Sequence, residues 1–372
     1  MNWEYVQPVR IRFGKGMSRK LADVAGELGY KKGFLVSDSF FIQNGLAEKL
    51  ASDSRGVIVG IYGDVSPNPE TKEVDACAAQ IRASGADFVI ALGGGSALDC
   101  AKSASVMALC GDSIVKYHNT GVAVPKEHLP IVAIPTTSGT GSEVTCVSVL
   151  SNHEAGIKGP IVSESFYPVL ALIDPELTYT TPKRVTASCG IDVLCHAVEG
   201  FWSKGHQPIC DALALHAAKL VFKYLERAYE NPLDEEAREK MSEASVIAGL
   251  AFTLPKTTAS HACSFPLTNL YRIPHGEACG LTLDYFCRIN RPAENYRLDG
   301  FCRELGFADA DTMADEIAAL KRRLGLRTDL REFDLTDEDK HALAAASRHP
   351  NLFNNPVDIS EEMLYEMYVS LT

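Results

Sequence analysis

Six short runs rich in Val, Ile, Leu and Phe punctuate the first half of the chain: PVRIRFG, GFLVSDS, GVIVGIYG, FVIALGGG, PIVAIPTT and VLALIDP. Each ends on Gly, Pro, Ser, Asp or Thr, residues that stop a strand and start a turn. Between several of them lie stretches with helical character, such as Met17–Leu28 and Pro69–Ser84. Strand–helix alternation predicts a mostly parallel sheet with helices on both faces. After DPELTYTTPKRV the rhythm changes, and apolar residues recur at helical spacing. In ICDALALHAAKLVFKYLERAYE the residues Ile209, Leu213, Leu220 and Leu225 mark one stripe. The expectation is an α/β domain over residues 1–184 and an all-helical domain over 185–372.

The chain of 372 residues can bury two cores. Charged residues make up 23% and the formal net charge is −12, a solubility charge that argues against nucleic acid or anionic membranes as partners. It does not argue against a phosphorylated cofactor, because backbone N–H groups at helix starts hold phosphate without lysines. No apolar run approaches eighteen residues, so no membrane span is expected. MNWEYVQPVRIRFGKG lacks the pattern of a secretory signal. Eleven cysteines with no C-x-x-C pair read as reduced, mostly buried thiols of a cytoplasmic protein.

Two loops and one acid in the first half carry polar chemistry. The glycines of Gly93-Gly94-Gly95-Ser96 follow a strand and open a helix, where backbone can approach a pyrophosphate; a plain tight turn is the alternative. IPTTSGTGSEVT offers Thr136, Thr137, Ser138, Thr140 and Ser142 within seven positions. These hydroxyls suit phosphate, ribose or carboxamide, and Thr140 with Glu143 also has the spacing of a helix cap. Asp38 ends a strand, where an acid accepts from a ribose 2′-OH or caps the next helix.

In the second half, Asp192 and His196 stand four apart in GIDVLCHAVEG. On a helix they share one face, as two ligands of one ion or as a simple surface pair. His261 and His275 stand fourteen apart, about 21 Å along an unbroken helix. Pro266 and Pro274 lie between them, and such breakers predict a reversal. His261 is then expected near the end of one helix and His275 at the mouth of the next. One carboxylate and three imidazoles make a ligand set for Fe²⁺ or Zn²⁺. Cys195 and Cys263 neighbour these histidines but point elsewhere on a helix, as packing residues.

VSPNPE, GGGSALDCAK, IPTTSGTGSEVT, DPELTYTTPKRVTAS, GIDVLCHAVEG, PICDALAL and IPHGEACG, in this order, resemble the signatures of the iron-containing (group III) alcohol dehydrogenases over nearly the whole chain. The resemblance implies a dehydroquinate synthase-like fold and a metal-dependent, NAD(H)-linked alcohol dehydrogenase or aldehyde reductase, as a homo-oligomer such as a dimer. By position it places Asp192, His196, His261 and His275 on the metal. Gly94, Gly95, Ser96 and Asp99 fall on the cofactor-phosphate turn. Asn68, Thr136, Thr137, Thr140 and Lys158 match further cofactor contacts, and an acid at Asp38 implies NAD.

One position departs from the family pattern. Many members carry a proton-relaying histidine four residues after the third ligand, where this chain has Phe265. His206 is one substitute for that relay. SHACSFPLT and HAVEGFWSKGHQPICDALAL resemble the branch associated with phosphonate metabolism, which implies reduction of phosphonoacetaldehyde to 2-hydroxyethylphosphonate. Arg272, with Lys256 behind it, is then the candidate for the substrate's anionic head. A general short-chain alcohol or diol dehydrogenase, a dehydroquinate synthase-like lyase and a non-catalytic dinucleotide-binding protein are the alternatives.

Overall fold

The computed structural model describes residues 2–372. Two compact units emerge. Val6–Thr137 and Gly141–Tyr179 form the first; Ser138–Thr140 and Thr180–Thr372 form the second, together with residues 2–5.

The first unit is built on a six-stranded sheet in the order β1-β8-β5-β4-β2-β3, with every pairing parallel. Its strands are β1 (Arg10–Phe13), β2 (Gly33–Asp38), β3 (Ile58–Val65), β4 (Phe88–Gly93), β5 (Ile131–Pro135) and β8 (Leu170–Ile173). All six correspond to the apolar runs of the sequence. The inner strands β4, β5 and β8 are buried along their whole length, while β1 at the edge is mostly exposed. Residues covered on both faces cannot alternate with polar ones, which is why these runs are continuously apolar.

Alternate side chains enter two different cores. Phe34, Val36, Val89, Ala91, Ile131 and Ala133 pack with α4 (Thr71–Ser84) and α5 (Gly95–Cys110). Leu35, Ile90, Leu92, Val132 and Ile134 pack on the other face with α1 (Leu21–Leu28) and α3 (Leu46–Asp53), while the short α2 (Ser39–Gln43) adds Phe41. Each such side chain contributes about 1.5–3 kcal/mol by leaving water. Truncating Ile90 to Ala would cost about 2–5 kcal/mol.

The strand order reverses between β2 and β4, because the chain runs outward to β3 and returns beside β2. In open parallel sheets, ligands collect beyond the carboxyl ends of strands at such a point. Asp38 and Gly93 end those two strands.

An antiparallel pair, β6 (Val147–Asn152) and β7 (Ile157–Val162), was not expected from the sequence. It docks on α5 through Asp99, whose carboxylate accepts from Val149 N at 2.9 Å, and through the Asp99 carbonyl, which accepts from Ser148 Oγ at 2.8 Å.

The second unit is helical after residue 183: α6 (Lys183–Trp202), α7 (Pro208–Glu230), α8 (Glu235–Phe252), α9 (Ala259–Tyr271), α10 (His275–Asn290), α11 (Arg297–Glu304), α12 (Ala310–Arg323), α13 (Asp337–Ala346) and α14 (Glu361–Ser370). None of these helices is long and apolar enough to cross a membrane. The expected stripe on α7 holds in part. Leu220 and Leu225 are buried, but Ile209 is 37% exposed and Leu213 only half-buried, and the buried face also runs through Cys210, Ala214, Ala217, Val221 and Ala228. Small residues turn inward because α7 lies against close neighbours; at Gly190 of α6 an added Cβ would stand 2.0 Å from Leu225 Cδ1. No cysteine is disulfide-bonded, and all but Cys110 and Cys189 are buried.

Candidate active site

Asp192 and His196 sit one turn apart on α6, both buried. His261 is the third residue of α9 and His275 the first of α10. What lets α10 approach α6 is Gly276, where a Cβ would lie 2.1 Å from Ser188 O and 2.7 Å from Asp192 Cβ. Gly280, one turn later, meets Ile191 in the same way. Only glycine permits backbones this close, and the approach sets His275 beside Asp192.

The four side chains predicted as ligands do converge. His261 Nε2 is 3.0 Å from His196 Nε2 and 3.5 Å from Asp192 Oδ1, and His196 Nε2 is 4.0 Å from that same oxygen. The His261 and His275 rings lie 5.4 Å apart, centre to centre. Asp192, His261, His275 and Cys279 each offer a ligand atom within 4.8 Å of one another. Cys279 follows His275 by one turn, its Sγ 3.8 Å from His275 Nε2.

Hydrogen bonds orient two of the imidazoles. Glu199, fully buried on α6, accepts from His261 Nδ1 and also from Thr258 Oγ1 (2.7 Å), Ser260 N (2.9 Å) and Thr258 N (3.1 Å). A carboxylate only accepts, so the His261 proton sits on Nδ1 and the lone pair of Nε2 faces Asp192 and His196. Ser264 Oγ donates to His261 O (2.7 Å) and lies 3.3 Å from His275 Nδ1. The hydroxyl proton is already used, so Nδ1 of His275 donates to it and leaves Nε2 with a lone pair.

These residues fit a cation. Asp192 Oδ1 is buried and receives no hydrogen bond. Burial, opposed by the charge of His261, pushes the Asp192 carboxyl up to about 7. Burial, with His261 and His275 alongside, holds His196 well below the usual imidazole range. His261 moves the other way: burial lowers it, but the charge and hydrogen bond of Glu199 together with Asp192 outweigh that and raise it. A buried carboxylate facing imidazole lone pairs is a borderline N/O set that suits Fe²⁺ or Zn²⁺.

Several expectations about this region change. Pro266 does not break the helix; α9 runs through it from Ala259 to Tyr271. His261 is therefore near the start of α9, not its end. The hydroxyl of Ser264 donates to the His261 carbonyl in the turn before that proline. The reversal comes at Arg272, in the left-handed conformation (φ 58°), and Pro274. Arg272 and Lys256 are exposed and have no ion-pair partner among the described residues. His206 is committed to Asp211 (3.1 Å) and Glu294 (3.3 Å), which leaves no ring nitrogen for a relay. Phe265 stacks between His275 (6.4 Å) and His349 (4.5 Å).

In the first unit, Gly93 has φ +147°, which side-chain-bearing residues rarely adopt. A Cβ there would stand 2.7 Å from Ala97 Cβ and 3.3 Å from Asp38 Oδ2. Asp38 caps α2 by accepting from Phe40 N (3.0 Å) and Phe41 N (3.3 Å), so the capping role exists alongside its place at the switch point. Burial raises its carboxyl, partly offset by those two amides.

Gly94 and Gly95 open α5, and a Cβ on Gly94 would meet Thr137 Oγ1 at 3.4 Å. Thr136 donates its N–H to Gly93 O at 3.0 Å. Asn68, at φ 60°, joins Ser96 (N to Oγ, 3.2 Å) and Lys158 (Oδ1 to Nζ, 2.9 Å). The unexpected β6–β7 pair is what carries Lys158 there. Thr140 groups with the helical unit. Asp99 points inward to Ser142 Oγ (2.7 Å) and Val149 N, holding the loop and β6 against α5.

Three residues were missed by the sequence reading. Glu199 lies one turn beyond His196, an acid on the buried face of a largely apolar helix, and that position was its signal. Cys279 had the i, i+4 spacing from His275. Lys102, in GGGSALDCAK, is wholly buried and donates to Ser142 Oγ (2.6 Å), Val147 O (2.8 Å) and Thr145 Oγ1 (3.2 Å). Nothing in its spacing announced that role.

Comparison with known proteins agrees with this arrangement. Residues 8–175 match the family described as iron-containing alcohol dehydrogenase, and 186–372 match its C-terminal part. The crystal structure of sulfoacetaldehyde reductase from Bifidobacterium kashiwanohense, in complex with NAD⁺, is 59% identical. It covers 100% of this chain and 99% of that one, with a TM-score of 0.98. A sulfoacetaldehyde reductase from Bilophila wadsworthia is 35% identical over 371 residues, 95% of each chain. The 1,3-propanediol dehydrogenase of Klebsiella pneumoniae is 32% identical over 98% of each. The parallel sheet and the helical region are those expected of the dehydroquinate synthase-like fold, and the chain belongs to the iron-containing alcohol dehydrogenase family.

Proposed function

We propose that this chain is an NAD(H)-linked reductase of a two-carbon aldehyde bearing a sulfonate, converting sulfoacetaldehyde, NADH and a proton to 2-hydroxyethanesulfonate and NAD⁺. The observation that carries this reading is the 59% identity, end to end, with a protein named for that substrate. Relatives named for alcohols without a sulfonate stand at 31–37%. In this reading Asp192, His196, His261 and His275 hold Fe²⁺ or Zn²⁺. When bound, the cation polarises the carbonyl as a Lewis acid and NADH supplies the hydride.

The chain's own residues prepare that chemistry. Glu199 and Ser264 hold protons on Nδ1 of His261 and His275, so that both rings keep a lone pair on Nε2, and that of His261 faces Asp192 and His196. Gly93, Gly94 and Gly95 leave room for backbone amides at the start of α5 to reach a pyrophosphate. Asp38 accepts from a ribose 2′-OH and repels a 2′-phosphate, which selects NAD(H). Asn68, Ser96, Thr136, Thr137, Thr140 and Lys158 supply further polar contacts to the cofactor. Phe265 lends the pocket an apolar wall.

The phosphonate reading keeps one argument, the resemblance of SHACSFPLT to the phosphonate branch. Sulfonate and phosphonate are both tetrahedral anions at the same distance from the carbonyl, and their charge separates them. The test is NADH oxidation by metal-stripped protein reconstituted with Fe²⁺ or Zn²⁺, given sulfoacetaldehyde, phosphonoacetaldehyde and propanal in turn. The expected result is highest kcat/KM on sulfoacetaldehyde and none without metal. Higher kcat/KM on either of the other two aldehydes would overturn the assignment.

A further inference from the structure

The sequence lacks an imidazole at 265, yet one stands beside that position. The ring of His349 lies 4.5 Å from that of Phe265, which in turn lies 6.4 Å from that of His275. Those two separations bound the His349–His275 distance at about 11 Å. His349 precedes a short 3₁₀ turn, Pro350–Asn354, and caps it: Nδ1 accepts from Asn351 N at 3.2 Å. That bond settles the tautomer. With Nδ1 an acceptor, the proton of the neutral ring is on Nε2, and Nε2 has no hydrogen-bond partner among the described residues.

The turn itself is fixed. Asn351 Nδ2 donates to Thr257 Oγ1 (2.8 Å) and Asn354 Nδ2 to Thr257 O (3.0 Å), tying it to the segment before α9. Lys204 N adds a bond to Asn354 O at 2.8 Å. His349 is half-buried. A donor held this way, beside the Phe265 ring and within about 11 Å of His275, is placed for the far end of a short substrate.

Building on the sulfonate reading, we propose that His349 recognises the substrate's anionic head, its Nε2–H donating to a sulfonate oxygen. A sulfonate is a monoanion and only accepts, so a neutral donor suits it. A phosphonate dianion carries a second charge that a single neutral donor leaves unmatched. The exposed Arg272, chosen from sequence for this task, is then not required for it.

The test compares wild type with H349F, which keeps a stacked ring, and H349N, which keeps an acceptor for the Asn351 amide. Metal-loaded protein is assayed with sulfoacetaldehyde and with propanal, and ethanesulfonate is tested as an inhibitor of propanal reduction. In both variants the ratio of kcat/KM for sulfoacetaldehyde to that for propanal should fall about 10–100-fold, the loss expected for one hydrogen bond to a charged group. The inhibition constant for ethanesulfonate should rise by a similar factor. A ratio and an inhibition constant unchanged in either variant would overturn the role of His349 and leave the sulfonate reading standing. Equal loss on both substrates would assign it a structural role instead. A wild type with no preference for sulfoacetaldehyde would sink the functional reading, and this proposal with it.

Discussion

Replacing Glu199 by Gln changes one oxygen to an NH₂ group and tests the site's internal logic. Oε1 of Glu199 accepts from Thr258 N, Thr258 Oγ1 and Ser260 N, and Oε2 accepts from His261 Nδ1. These donors on Oε1, with His261 N (3.4 Å), hold the amide oxygen of the new residue there. Its NH₂ then faces His261, and two donors cannot share one contact. The imidazole proton must therefore move to Nε2, the nitrogen that faces His196 at 3.0 Å. Metal affinity should fall about 10–100-fold, or about 1.4–2.8 kcal/mol. The assay is chelator competition for Zn²⁺ or Co²⁺ with metal-free protein, alongside its melting temperature. E199A provides the contrast: it strands the buried donors, at about 1–3 kcal/mol each, and should lower the melting temperature more than E199Q does. Folded E199Q that binds metal as tightly as wild type would refute the orienting role of Glu199.

Gly276→Ala would press a methyl group against Ser188 O and the Asp192 side chain. The strain should cost about 1–3 kcal/mol and weaken metal binding; a melting curve and the same chelator competition measure both. Glu143 is buried, and burial pushes its carboxyl up to about 7, with Lys102 pulling the other way. The folded state keeps this proton where the unfolded chain has lost it, so stability falls as pH rises from about 4.5 to about 7. E143Q cannot ionise and should gain on wild type across that window, by about 3 kcal/mol at pH 8, as read from urea midpoints at pH 4 and pH 8. An equal difference at both pH values would contradict this. Asp38→Ala removes the cap on Phe40 N and Phe41 N, costing about 1 kcal/mol. It also removes a charge that repels a 2′-phosphate, so the NADPH-to-NADH ratio of kcat/KM should rise at least about tenfold.

The sheet was readable because burial on both faces leaves no room for polar residues. FVIALG, IVAIP and LALI are unbroken apolar runs for that reason. The β6–β7 pair escaped notice because its sequence, VSVLSN and IKGPIV, is half polar. It is held by Asp99 and Lys102, residues distant in sequence, with only Leu150 and Ile161 reaching the core. On α7 the mismatch has the opposite cause. Size alone does not mark the buried face, because close helix packing buries the alanines beside Leu220 and Leu225 and leaves Ile209 partly outside.

At the proposed metal site, residue type and spacing singled out four side chains that the fold brings together, because i, i+4 spacing puts two of them on one face of α6. The route by which the others arrive was not readable, because Pro266 is accommodated inside α9 and the turn is made instead by Arg272 in a left-handed conformation. Orientation was less readable still. Which nitrogen of His261 carries its proton depends on Glu199, 62 positions away. Which nitrogen of His349 does so depends on an amide two residues on. Donor type is therefore local chemistry written in the sequence, while protonation belongs to contacts that exist only after folding. Substitutions at Glu199 and His349 should consequently change affinity and specificity without touching a predicted ligand.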